Sequence, residues 1–146
     1  VKTQTGLPLP RFVSLKQKLV NVRRGPSLEH GVAWVFTRKS LPVEIIAEFD
    51  RWRRIRDSEG AEGWVYHALL AGRRTVIAAP WAKGKVMQLL ASASATGDLV
   101  ARINSGALGE LKSCDGKWCY TDFGGYEGYV SQETLFGVYP GEVYRQ

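Results

Sequence analysis

Apolar and polar positions along this chain alternate in the manner of short strands. Val20-Asn21-Val22-Arg23 follows a period of two, and Leu41 to Phe49 is rich in branched and apolar residues. Similar short runs recur at roughly 8- to 12-residue spacing, the rhythm of an all-β domain. Turn signals separate them: Arg24-Gly25-Pro26-Ser27, Ser58-Glu59-Gly60, Ala95-Thr96-Gly97-Asp98, Asn104-Ser105-Gly106, Asp115-Gly116 and Gly124-Gly125. Glu44 to Arg56 has nearly helical length, but Val43, Ile45, Ile46 and the central Asp50 fit two strands and a turn better. No window keeps a capped helical stripe. Single turns of helix are expected only at His67 to Leu70 and Gln132 to Phe136, so the pattern predicts small closed or nearly closed β-barrels.

The chain also repeats itself. Asp50-Arg51-Trp52-Arg53-Arg54-Ile55, then Gly63-Trp64-Val65, returns as Asp115-Gly116-Lys117-Trp118-Cys119-Tyr120, then Gly128-Tyr129-Val130. A unit of about 65 residues is therefore duplicated, with a single-residue adjustment between its aromatic positions. The expected units are 12–79 and 80–146, divided near Ala79-Pro80, because proline cannot donate to a ladder and suits a strand end. Each is near the lower size limit for an independent core, so each needs its neighbour or a staple. A short linkage with Val76, Ile77 and Trp81 around it predicts that the two barrels pack together.

Val20-Asn21-Val22-Arg23-Arg24-Gly25-Pro26-Ser27, a Trp-x-x-Ile strand and a Gly-Trp-Val closure resemble the bacterial SH3-like domain family. The whole chain resembles its tandem form in exported proteins of Gram-negative bacteria. In the second half the Asn-x-Arg-x-Gly-Pro signature is lost, since Gln88 to Ser94 reads Gln-Leu-Leu-Ala-Ser-Ala-Ser. The resemblance implies five- to six-stranded barrels whose relatives commonly target cell-wall peptidoglycan or bind peptides. It does not imply catalysis.

Cys114 and Cys119 flank Asp115-Gly116-Lys117-Trp118, a spacing that lets a tight hairpin oppose them across antiparallel strands. Opposed strand positions have α-carbons about 4.5 Å apart, within disulfide range. A disulfide there favours an oxidising space such as the periplasm. A four-ligand metal site lacks ligands, since the two histidines, His30 and His67, both lie in the first unit. A redox pair remains open, although the spacing is not Cys-x-x-Cys.

Five Trp and six Tyr are many for 146 residues. Trp52, Trp64, Trp118, Tyr120, Tyr126 and Tyr129 fall near the repeated strand-turn regions, where each either plugs a barrel or lines a groove. If Ile55 points inward, Trp52, Arg54 and Arg56 share the outer face. Such a face can stack on a sugar or proline ring while pairing with a carboxylate. The matching set in the second unit is Trp118, Tyr120 and Asp122, which predicts a different ligand preference.

Charge sharpens this asymmetry. Residues 1–79 hold 14 Lys and Arg against 7 Asp and Glu, and residues 80–146 hold 6 against 7, so the net +6 arises in the first unit. A basic surface raises the local concentration of anionic partners. Hydrophobic content of 45% with 23% charged residues is ordinary for a globular protein, and no apolar run is long enough to span a membrane. The start at Val1, followed by a polar, proline-bearing stretch, suggests a processed terminus.

An enzyme reading fails on inventory. The cysteines share one hairpin away from either histidine, Glu59 and Glu62 occupy a turn without a buried second acid, and no phosphate-cradling glycine loop occurs. No cofactor is expected. Nucleic acid is a weaker partner, given the near-neutral second half and the expected compartment. The expected function is therefore an exported, non-catalytic module for peptidoglycan or its stem peptides, with a protein-peptide adaptor as the alternative.

Overall fold

Residues 4–146 are described by the computed structural model, which separates into two units on either side of Arg73 and Arg74. In the first, alternating runs form β1 (Arg11–Leu15), β2 (Val20–Arg23), β3 (Val32–Phe36), β4 (Pro42–Phe49), β5 (Trp52–Arg56), β6 (Glu62–Tyr66) and β7 (Leu70–Ala71). They pair antiparallel in the order β3-β2-β6-β5-β4-β1-β7. Val13, Leu15, Val20, Val22, Val43, Ile45, Ile55 and Val65 form one buried core. Strands distant in the pairing order meet in that core, so the sheet wraps round it.

The second unit repeats the plan with β8 (Thr75–Ala78), β9 (Val86–Leu90), β10 (Leu99–Asn104), β11 (Leu108–Asp115), β12 (Trp118–Phe123), β13 (Tyr126–Ser131) and β14 (Leu135–Phe136). Their order is β10-β9-β13-β12-β11-β8-β14, and β15 (Val143–Arg145) adds to β11. The expected helical turns are 3-10 turns at His67–Leu69 and Gln132–Thr134, one per unit. The fold is all-β, two tandem SH3-like units.

The division differs from the one expected at Ala79-Pro80. Thr75–Ala78 is not the last strand of the first unit but the first strand of the second, paired with β11 and β14. Pro80 does follow a strand end, but that strand opens a unit. Val76 and Ile77 are buried within the sheet of the second unit, and Trp81 is 60% exposed.

Register shows how closely the units correspond. Ile45 pairs with Ile55 and Leu111 with Thr121, and each β4- or β11-strand then bulges before its next pair, Ala47 with Arg54 and Ser113 with Tyr120. The bulge is therefore a duplicated feature that re-aims the hairpin end. Beyond it, Glu48 pairs with Arg53 where Cys114 pairs with Cys119. One unit holds this position by an ion pair, Arg53 Nε to Glu48 Oε2 at 3.7 Å, and the other by a disulfide with Cα atoms 4.1 Å apart.

Candidate functional site

In the first unit the outer face of β4, β5 and β6 carries three cross-strand rows. Phe49, Trp52 and Tyr66 form the first, Ala47, Arg54 and Trp64 the second, and Glu44, Arg56 and Glu62 the third. The sequence-predicted trio Trp52, Arg54 and Arg56 thus lies on one side of β5, opposite the buried Ile55. The three differ in accessibility. Trp52 is only 8% exposed and meets Tyr66 edge-on at 5.6 Å between centroids, so its ring serves packing. Tyr66 in turn stacks at a tilt on His67, 4.9 Å away.

Arg54 and Trp64 form the accessible middle row. The Arg54 guanidinium is exposed and donates to Glu62 across 3.0 Å, while the half-buried Trp64 lies opposite both Arg54 and Arg23. Arg56 is more firmly held, donating from Nε and Nη2 to the buried Glu44 at 3.1 and 2.8 Å, with Glu62 a further 3.6 Å from Nη1. An exposed pair such as Arg54–Glu62 is worth about 0–1 kcal/mol, so a ligand carboxylate can replace Glu62 at little cost.

The Arg23-Arg24-Gly25-Pro26-Ser27 signature builds the loop at the end of β2. Arg23 Nη1 donates to the carbonyl of His30 at 3.0 Å, and Ser27 Oγ lies 2.7 Å from His30 Nδ1. A Cβ on Gly25 would fall 2.3 Å from the His30 ring, which explains glycine there. The corresponding β9–β10 loop in the second unit relies on Ser92, Ser94 and Thr96 instead.

The equivalent face of the second unit is built from β11, β12 and β13. Trp118, Tyr120 and Asp122 do share one side of β12, each half-buried. Tyr120 and Tyr129 are cross-strand partners with centroids 4.9 Å apart. Glu110, Asp122 and Glu127 replace the Glu44–Arg56–Glu62 row, substituting a carboxylate for the central cation. No group of three or more His, Cys, Asp or Glu among the described residues is arranged to hold a metal. Tyr126 departs from the expected set: it pairs with the inward Phe123 and projects, 59% exposed, beyond the core on the other side from Tyr129.

Side chains that the sequence did not single out hold these hairpins in place. The Glu48 side chain, 1% exposed, accepts from the amides of Gln4 and Thr5, the Thr5 hydroxyl and Arg11. Burial raises its carboxyl pKa, but these donors prevail and hold it at about 2. In the second unit the buried Gln132 accepts from the Gly116 amide and donates to the carbonyls of Tyr139 and Glu142. Arg74 clamps the Glu142 carboxylate with two bonds of 3.0 and 3.1 Å and covers the Tyr144 ring. Burial works against the ionised Glu142, yet Arg74 and the Tyr139 amide hold its pKa below the usual value. The backbone amides of Trp118 and Lys117 lower that of Asp115 in the hairpin turn.

A family model described as bacterial SH3 domain matches residues 16–72 and again residues 83–137. The chain belongs to the bacterial SH3 domain family. Its two matched regions fall in the two structural units, and bacterial SH3 domains are binding modules. No curated protein matches the chain significantly. Among solved structures it is similar to NlpC2 from Trichomonas vaginalis, at 14% identity and a TM-score of 0.39, over 90% of this chain and 49% of that one. NlpC1 from the same organism matches at 15% identity and a TM-score of 0.39, over 92% and 48%. The chain thus spans about half the length of these two proteins. No helix among the described residues is long and apolar enough to cross a membrane.

Proposed function

We propose that this bacterial SH3 protein is an exported, non-catalytic module that recognises cell-wall peptidoglycan through its stem peptides. The Arg54–Trp64 row of the first unit is the contact. The observation that carries this reading is an exposed guanidinium beside a half-buried indole, with an exchangeable acid as its resting partner. Stem peptides offer carboxylates for Arg54, and the wall's sugar rings or peptide stems offer flat surfaces for Trp64. The Cys114–Cys119 disulfide supports an oxidising compartment such as the periplasm. Where the first unit sets a cation, the second sets Asp122, so the two units are expected to differ in ligand preference.

Co-sedimentation of the chain with insoluble peptidoglycan at two salt concentrations tests the proposal, with Trp64→Ala and Arg54→Gln beside wild type. Salt-resistant binding is expected, falling at least about tenfold in Trp64→Ala while the melting temperature holds. Binding that salt alone abolishes, or that both variants retain, would favour a protein-peptide adaptor instead.

A further inference from the structure

The first loop of each unit is anchored in the same way. In the first unit Leu15 N donates to Leu41 O, Ser40 N to Leu15 O and Lys16 N to Leu69 O. In the second, Ala78 N donates to Ala107 O, Gly106 N to Ala78 O and Ala79 N to Thr134 O. Lys16 and Ala79 are therefore equivalent positions, and the loops leaving them can be compared directly.

Those loops read Lys16-Gln17-Lys18-Leu19 and Ala79-Pro80-Trp81-Ala82-Lys83-Gly84-Lys85. Their lengths and sequences differ, but each carries two lysines, no acid and one large apolar side chain turned to solvent. Leu19 is 65% exposed and Trp81 60%. The Ser40–Leu15 bond brings Arg38 and Lys39, both exposed, beside the first loop. None of these six cations makes a side-chain ion pair or hydrogen bond among the described residues. Trp81 is not a loose tip: Ala82 N and Ser105 Oγ both donate to Ala79 O, and Lys85 N donates to Ala82 O. The composition survives in the second unit although its Gly-Pro signature and positive charge do not.

We propose that each of these loops is a contact for an anionic lipid surface. Leu19 and Trp81 enter the headgroup region, and the surrounding lysines and Arg38 pair with lipid phosphates. A soluble polyanion would neutralise the cations yet leave Leu19 and Trp81 in water, whereas a bilayer interface accommodates both. Trp suits this depth because its ring is apolar and its N–H is polar. The wall-binding row at Arg54 and Trp64 takes no part.

The test uses the full chain with vesicles of phosphatidylcholine alone and vesicles of phosphatidylcholine mixed with phosphatidylglycerol, read by sedimentation and tryptophan emission. Partitioning onto the anionic vesicles only is expected, with a blue shift that Trp81→Ser removes. The quadruple variant K16Q/K18Q/R38Q/K39Q should weaken partitioning by about fivefold for each engaged cation removed. L19S/W81S should weaken it at least about tenfold at an unchanged melting temperature, since these side chains are exposed in the free protein. Absence of partitioning overturns the proposal. So does an unchanged affinity of L19S/W81S, which with binding to soluble inorganic polyphosphate would define a polyanion site.

Discussion

Glu48 shows how much one carboxylate can organise in a small barrel. Its side chain is buried on the hairpin β4–β5, where burial alone raises its pKa, yet donors from Gln4, Thr5 and Arg11 converge on it and Arg53 stands opposite. With its pKa lowered from 4.5 to about 2, the ionised form is favoured by folding. Its contribution to stability is therefore fully present above the unfolded-state value and is lost as pH falls from 4.5 towards 2. Glu48→Gln is expected to cost about 1–3 kcal/mol at neutral pH and to flatten the acid limb of the stability profile, read from urea melts at pH steps across that window. An acid limb as steep as wild type would refute this role. Glu48 was not legible from local pattern, because Gln4 and Thr5 lie more than forty residues away along the chain. Parity along β5 marks Trp52 as an outward candidate, and Trp64 is legible only as an aromatic of the repeated strand-turn region. Only the rows separate them, Trp52 being closed off against Tyr66 and Trp64 standing beside an exposed guanidinium.

At the level of elements, the same hairpin register is secured by different chemistry in each unit. Glu48–Arg53 is reinforced by the N-terminal segment, whereas Cys114–Cys119 is reinforced by β15, whose Tyr144 lies opposite Cys114. Closing the short loop between the cysteines contributes on the order of 2 kcal/mol in the chain-entropy model. Replacing both by Ser is expected to destabilise β11 and β12 by about that amount while leaving β4 and β5 unchanged, as read by amide exchange. Equal loss of protection in both units would contradict it. This disulfide was legible because direct opposition across a four-residue connection is a local geometry. The strands, their turns and the two 3-10 turns were legible for the same reason: period-two alternation and glycine-rich turns are local signals. β15 was not, since Val143-Tyr144-Arg145 is too short to show a period and is a strand only because β11 offers it an edge.

For the whole molecule, the duplicated topology decides where the chain can be divided. Every strand pair lies within one sheet or the other, and the division falls between Arg73 and Arg74. The sequence located the duplication from its aromatic repeats but not its origin, because β1 and β8 share no motif and Pro80 looks like a terminus. A unit that began at Pro80 would lack β8, which lies between β11 and β14 and places Val76 and Ala78, both fully buried, in the second core. It would also lack Arg74, the clamp on Glu142. Burying a side chain such as valine contributes about 1.5–3 kcal/mol, and small domains have only about 5–15 kcal/mol in total. The fragment 74–146 is therefore expected to fold with a cooperative thermal transition and an intact disulfide, and 80–146 to show neither cooperative melting nor dispersed amide resonances. Cooperative folding of 80–146 would mean that β8 is peripheral to the second barrel, and the duplicated plan would have to be redrawn from β9.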